Sequence, residues 1–196
     1  MIVKIESATA NPIEVISKAA GTCYGKHDVS CKRLHSCYNA GHMSVFEHAS
    51  VTFYVEGISR ACSHQLVRHR LASFCQESQR YCMVDFTKDD WFVIPPSCIE
   101  LQNYEESMWK CAKMYTNAIL AGVKREDARY LLPEATKTAI TVTMNCRELF
   151  HFLDMRQQKA AQWEICDLAN EIEAQLLDLP QWREIMLIRI TGTVKE

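Results

Sequence analysis

The chain has 196 residues, 48% hydrophobic and 23% charged, an ordinary soluble composition with enough material for a sizeable core. Lys plus Arg total 22 against 24 Asp plus Glu, a formal net charge of -2, so no overall field recruits a nucleic acid or an anionic membrane. No apolar run is long enough to span a bilayer, and MIVKIESATANPIEV turns polar too early for a signal peptide; a cytoplasmic protein is expected.

Asn11 and Pro12 read as an N-cap and first helical position, opening a helix over 12–20. A second helix is expected over 31–39, ending at Gly41. Residues 49–56 alternate, with Val51, Phe53 and Val55 on one face and Thr52, Tyr54 and Glu56 on the other, the period of a half-buried strand. Gly57 reads as its break, and Ser59 as the cap of a helix leading into an arginine cluster. Between 97 and 121, Met108, Cys111, Ala112, Tyr115, Ala118 and Ile119 form a helical stripe that Gly122 stops. A short helix over 126–132 ends before Pro133. A second alternating strand covers 138–144, Ile140, Val142 and Met144 opposing Thr141 and Thr143. Helices follow over 146–157, 161–177 and 181–187. No repeat or linker divides the chain, so a single α+β domain over 1–196 is expected, a central sheet with packed helices.

Ten cysteines, at 23, 31, 37, 62, 75, 82, 98, 111, 146 and 166, contain no C-x-x-C pair. Zinc sites show close ligand pairs, and small disulfide scaffolds accompany export. Reduced thiols packed as small hydrophobes are the reading, and no metal is expected. Cys31, His35, Cys37 and His42 lack a recognised ligand spacing.

Chemistry concentrates in RHRLASFCQESQR, residues 68–80. Guanidinium forks donate two parallel hydrogen bonds to phosphate or carboxylate, so this cluster in a near-neutral chain suits a small phosphorylated ligand. Neither G-x-G-x-x-G nor G-x-x-x-x-G-K-[ST] occurs, and there are only six glycines, so side chains must hold any nucleotide. Arg129, Arg147 and Arg156 extend the supply. Arg147 and His151, four apart, share a helical face; Arg156, nine past Arg147, falls about half a revolution away, which implies a different subsite. One arginine alone is most often a solvated charge, and a lone histidine most often structural. His27, His35 and His64 take the structural reading, while His42 and His48 stay open. Cys75 and Cys82 flank the arginines, where positive charge lowers a thiol pKa, so thiolate attack on a pyrimidine also stays open. Ser78 suits a phosphate donor better than a nucleophile.

Arg68-His69-Arg70, seven residues, then Ser78 resembles the RHR-x7-S signature of the flavin-dependent thymidylate synthases. GHMSVFEHASVTFYV (41–55), DARYLLP (127–133), NCRELFHFLDMR (145–156) and AQWEI (161–165) resemble further blocks of that family, in order. The resemblance implies that the chain converts dUMP to dTMP. Methylenetetrahydrofolate would give the carbon, FAD the hydride and NADPH the electrons that reduce the flavin. It implies FAD contacts from Ser44, Arg68, His69, Arg70, Gln76, Asn145, Arg147 and His151. It implies dUMP contacts from Gln65, Arg68, Gln76, Glu77, Ser78, Gln79, Arg80, Arg129 and Arg156. Arg156 matches the arginine that stabilises negative charge on the uracil ring, and His42 and Tyr81 match folate-facing positions. A homotetramer with sites shared between subunits is implied too. Ser44 stands where Thr is frequent, Gln76 where some members have Glu, and His151 where some have Asn; no arginine is lost.

Three other readings remain beside this one. A related flavoenzyme could hydroxymethylate dUMP or dCMP. A nucleic-acid module could use Phe74 and Tyr81 as stacking platforms, against which the acidic balance speaks. A cysteine-dependent enzyme would use Cys75 or Cys82.

Overall fold

The computed structural model describes residues 1–192. Strands β1 (Ile2–Ala8), β2 (Ser50–Ser59), β3 (Ser73–Gln76) and β4 (Lys137–Asn145) form one sheet in the order β1-β2-β4-β3. The helices are α1 (Pro12–Thr22), α2 (Cys31–Asn39), α3 (Arg60–Leu66), α4 (Tyr104–Leu120), α5 (Arg125–Ala128), α6 (Cys146–Arg156), α7 (Trp163–Asp178) and α8 (Pro180–Gly192). This is the expected α+β class. No helix among the described residues is long and apolar enough to cross a membrane.

Register follows from a few contacts. Thr9 N–H donates to Ser50 O while Met1 lies beside Gly57, so β1 runs antiparallel to β2. The Thr52 and Thr143 hydroxyls are 2.9 Å apart, and Cys146 N–H donates to Ala49 O, so β4 is antiparallel to β2 as well. The alternation expected of both strands holds: Val51, Phe53, Val55, Ile140, Val142 and Met144 are all buried.

The chain gathers into two compact units, and β2 and β4 each contribute residues to both. One, the C-terminal unit, holds Val3–Tyr54, Val67–Phe74 and the chain from Thr141 on. Its helices are capped by their own sequence: Ser30 accepts from Arg33 N–H, Asn145 from Glu148 N–H, and Gln162 from Glu164 and Ile165 N–H. In α7, Ile165, Leu168, Ala169, Ile172 and Leu176 recur at three- and four-residue spacing and are all buried. Each large aliphatic side chain so buried stabilises by ~1.5–3 kcal/mol. Phe46, Phe150 and Tyr38 pack ring on ring at 5.5–6.0 Å, and Trp182 donates from Nε1 to Thr9 O at 3.1 Å, tying α8 to the end of β1.

The other, the middle unit, holds Met1–Ile2, Val55–Leu66 and Cys75–Ile140. Trp91, Phe92 and Ala112 form its aromatic core, with Phe86, Tyr104, Met108 and Trp109 against them.

The structure corrects several expectations. β1 and β3 were not foreseen: Val3 is the one buried residue of β1, and β3 has none, so neither shows a full alternating face. Gly57 does not end its strand; with φ +79° it is carried inside β2, which runs on to Ser59. The stripe expected from 97 becomes a 3-10 turn at Pro96–Cys98 and then α4, which starts only after Asn103, itself in the left-handed region at φ 68°. The helix expected over 126–132 splits into α5 and a 3-10 turn at Arg129–Leu131. α8 extends past 187 to Gly192.

Candidate active site

In the C-terminal unit, Arg68, His69 and Arg70 follow α3. Arg68 and Arg70 are exposed and make no hydrogen bond or ion pair among the described residues, whereas His69 is 5% exposed. Its Nδ1 lies 2.9 Å from Glu148 Oε1, and its Nε2 lies 3.0 Å from Arg156 Nε. An arginine Nε–H can only donate, so Nε2 is the acceptor and the imidazole proton sits on Nδ1, given to Glu148. Burial pushes the His69 pKa below the ordinary imidazole value; the Glu148 hydrogen bond opposes this and the Arg156 charge reinforces it. His69 is therefore a neutral, oriented ring, packed edge-on against Phe152 at 5.1 Å and tilted to His151 at 5.6 Å. His69, Glu148 and His151 bring possible ligand atoms within 4.8 Å of one another. Both His69 nitrogens are engaged by protein groups, however, which makes this a hydrogen-bonded chain.

Helix α6 runs unbroken from Cys146 to Arg156, so Arg147 and Arg156 do point to different partners. Arg147 pairs with Glu47 at 2.5 Å, and Arg156 reaches His69. Arg147 also lines a cavity of about 390 Å³ with His42, Met43, Ser44, Val45 and Cys23. Ser44 lies in the 3-10 helix Met43–His48 and His42 just before it, set there by the turn at Gly41 (φ +73°) that ends α2. Asn145 spends its side-chain oxygen on capping α6.

In the middle unit, a second cavity of about 390 Å³ is lined by Arg60, His64, Gln79, Arg129, Tyr130 and Glu134, among others. Such volumes fall within the range of roughly 300–1,000 Å³ usual for small-molecule sites. Arg60 donates to Glu77 O at 3.1 Å and to Thr138 Oγ1 at 3.4 Å; Arg129 donates from Nε to Glu126 O at 3.1 Å. Neither guanidinium is ion-paired among the described residues. Burial lowers the Arg60 pKa, yet an arginine stays cationic. Arg80 pairs with Glu126 at 3.2 Å and lies over the exposed Tyr81 ring at 5.7 Å. Ser78 Oγ accepts from Arg80 N–H, and Glu77 N–H donates to Ala139 O. Gln76 donates to Ser63 Oγ at 2.8 Å and to Thr138 Oγ1 at 3.3 Å, so its amide is braced from within the unit. Gln65 is half-buried in α3.

The 68–80 segment is thus divided, residues 68–74 in one unit and 75–80 in the other, the division falling within β3. Sequence reading missed Glu148, Arg60, Tyr130 and Glu134. Asn145 and Glu148 have the N-x-x-E spacing of a capping box, a signal that marks a helix start. Nothing in the sequence foretold that the Glu148 side chain turns to His69, 79 positions away. His64, read as structural, is exposed on the rim of the second cavity, 3.4 Å from Glu134.

A family model described as thymidylate synthase complementing protein matches residues 4–179, well beyond the blocks at 41–165. A flavin-dependent thymidylate synthase of Geobacter sulfurreducens is 43% identical over 84% of this chain and 77% of its own length. The enzyme of that name from Thermococcus onnurineus is 38% identical over 94% of this chain and 82% of its own. The crystal structure of a Helicobacter pylori flavin-dependent thymidylate synthase complexed with FAD and dUMP superposes with a TM-score of 0.78 at 25% identity, covering 93% of this chain and 97% of that one. The chain belongs to the flavin-dependent thymidylate synthase family.

Proposed function

We propose that the chain methylates dUMP reductively to dTMP, with dUMP held by the middle unit's cavity and FAD by the C-terminal unit's. The observation that carries this reading is the pair of guanidiniums, Arg60 and Arg129, fixed by backbone and hydroxyl oxygens and in no ion pair among the described residues, at a nucleotide-sized cavity. Two guanidiniums against the one carboxylate of the lining, Glu134, leave net positive charge there, which fits a phosphate. The C-terminal unit's cavity fits a flavin nucleotide: Ser44 and Arg147 offer polar contacts and Met43 and Val45 apolar ones. Arg68 and Arg70, in the same unit and unpaired among the described residues, suit its phosphates. When bound, FAD, reduced by NADPH, supplies the hydride, and methylenetetrahydrofolate supplies the carbon.

The protein's own part is orientation and charge. Arg129, Gln79 and Ser78, with Arg80 beside them, hold the nucleotide monophosphate. Gln65, Gln76 and Glu77 belong to the same contact set. On the flavin side, His69, His151 and Asn145 complete the contacts. Arg156, anchored through Nε by neutral His69, stabilises the negative charge that develops on the uracil as its carbon becomes nucleophilic. No protein nucleophile is used. His42 and Tyr81 would contact the folate. We further infer a cytoplasmic homotetramer of single-domain chains, with sites shared between subunits.

Arg156→Ala tests the reading. Turnover should fall ~100- to 1,000-fold, the loss expected for removing one charge-stabilising donor, while the flavin absorbance of the purified protein persists. Equal loss of flavin and turnover would refute the role given to Arg156. Product identity settles the hydroxymethylating alternative: dTMP is expected from dUMP, and no product from dCMP.

A further inference from the structure

We infer that Glu148 is a positioning residue for Arg156, acting through His69. The inference rests on the role proposed above for Arg156. Three groups form one line: the Glu148 carboxylate accepts from His69 Nδ1–H at 2.9 Å, and His69 Nε2 accepts from Arg156 Nε at 3.0 Å. The first two are almost wholly enclosed, with side chains 3% and 4% exposed. Water therefore contributes little to deciding where the imidazole proton sits.

A neutral imidazole has two tautomers, and only one of them serves Arg156. With the proton on Nε2, two N–H groups would face each other and the Nε anchor would be lost. Glu148, an acceptor when ionised, selects the Nδ1–H form. Protonation of the ring would have the same effect as the wrong tautomer, because both nitrogens would then donate. The titratable and charged groups facing the ring are Glu148, Arg156 and His151, all from α6. Burial and the neighbouring guanidinium keep the ring neutral against the pull of Glu148. Loss of the Nε contact removes one of the bonds that fix the guanidinium's orientation, so its charge is held less closely where the uracil needs it. Glu148 itself touches neither substrate nor flavin on this account.

The test is Glu148→Gln, compared with Arg156→Ala and with the double variant, all as flavin-loaded enzyme. Glutamine keeps the size and can accept from Nδ1–H. It can also donate, which admits the tautomer that Arg156 cannot use. We expect kcat to fall roughly ten- to a hundredfold, with KM for dUMP changed by less than about threefold and flavin retained. Losing the carboxylate removes what holds the imidazole pKa up, so the acidic limb of the kcat profile should move to lower pH. The double variant should be no slower than Arg156→Ala alone, since Glu148 would have nothing left to position. A further tenfold loss in the double variant, or an unchanged kcat in Glu148→Gln while Arg156→Ala is crippled, overturns the inference and leaves the role of Arg156 standing. If Arg156→Ala keeps full turnover, the parent reading falls and the inference with it. Nitrogen-15 NMR of the histidines in the unmutated protein gives a second check that needs no variant. A His69 with its proton on Nδ1 is expected, and one with it on Nε2 would overturn the inference.

Discussion

Replacing Arg189 by Met removes a guanidinium that joins three helices of the C-terminal unit. Its side chain is 9% exposed and binds Asp154 at 2.9 Å and Glu173 at 2.5 Å. A third bond reaches Gln157 Oε1 at 2.8 Å. Asp154 belongs to α6, Gln157 follows that helix directly, Glu173 is on α7 and Arg189 on α8, so the network braces the helix that ends in Arg156. Removing one partner of a fully buried pair costs ~3–5 kcal/mol. Two discounts apply. Asp154 is 47% exposed and resolvates, which reduces its share to the ~0–1 kcal/mol of a surface pair. Glu173 is 19% exposed and keeps the Gln157 amide at 2.8 Å. Methionine also preserves the apolar stem, so little packing is lost. The net expectation is ~2–3 kcal/mol, or a fall in Tm of about 4–12 °C, compared at one protein concentration because assembly shifts apparent stability. Chemical denaturation of Arg189→Met, Glu173→Gln and the double variant measures it. The double variant should lose clearly less than the sum of the two. A loss below ~0.5 kcal/mol, or strict additivity, would show that the network behaves like solvated surface charge and refute the reasoning.

Other perturbations separate the remaining parts of the account. Arg129→Ala should raise KM for dUMP by roughly ten- to a hundredfold, the ~1.5–3 kcal/mol of a hydrogen bond to a charged group, without bleaching the flavin; steady-state kinetics decides. Gly57→Ala should cost ~1–2 kcal/mol in thermal melts, because φ is +79° while the new methyl would meet Met1 only at ordinary contact distance. Depression of the His69 pKa makes the unfolded chain bind a proton that the fold resists, so stability should fall as pH drops below about 6.5 toward the folded value and level off beneath it; His69→Gln should flatten that slope in urea titrations. Alkylation at neutral pH should modify the exposed Cys75 and Cys82 and spare Cys146, whose thiol burial pushes far above its ordinary pKa; Cys75→Ala with Cys82→Ala should keep turnover, and its loss would revive the thiolate mechanism.

The strands at 50–59 and 137–145 were legible because each buries one face, and strict alternation of β-branched and aromatic residues has no other simple reading. β1 and β3 were not, since they gain their place from hydrogen bonds to neighbouring strands rather than from apolar side chains of their own. Gly57 misled because an isolated glycine usually breaks a strand, yet backbone pairing can carry a positive φ through one. The arginines of the site were visible by type and spacing, and the half-turn expected between Arg147 and Arg156 is present, with Arg147 at Glu47 and Arg156 at His69. What holds them was hidden. Glu148 looks like any first-turn acid of a helix, and Arg60 like any solvated charge after a strand. Only the fold brings the one to His69 and the other to the oxygens of Glu77 and Thr138. Spacing along a helix is local information, whereas a contact across 79 residues belongs to the fold.

The most direct trial of the central claim is one anaerobic incubation of the flavin-loaded protein with dUMP, methylenetetrahydrofolate and NADPH, quenched in acid during turnover, with nucleotide and intact protein both weighed by mass spectrometry. The account predicts dTMP in solution and a polypeptide of unchanged mass. A nucleotide covalently attached to the chain, or no dTMP at all, would contradict it.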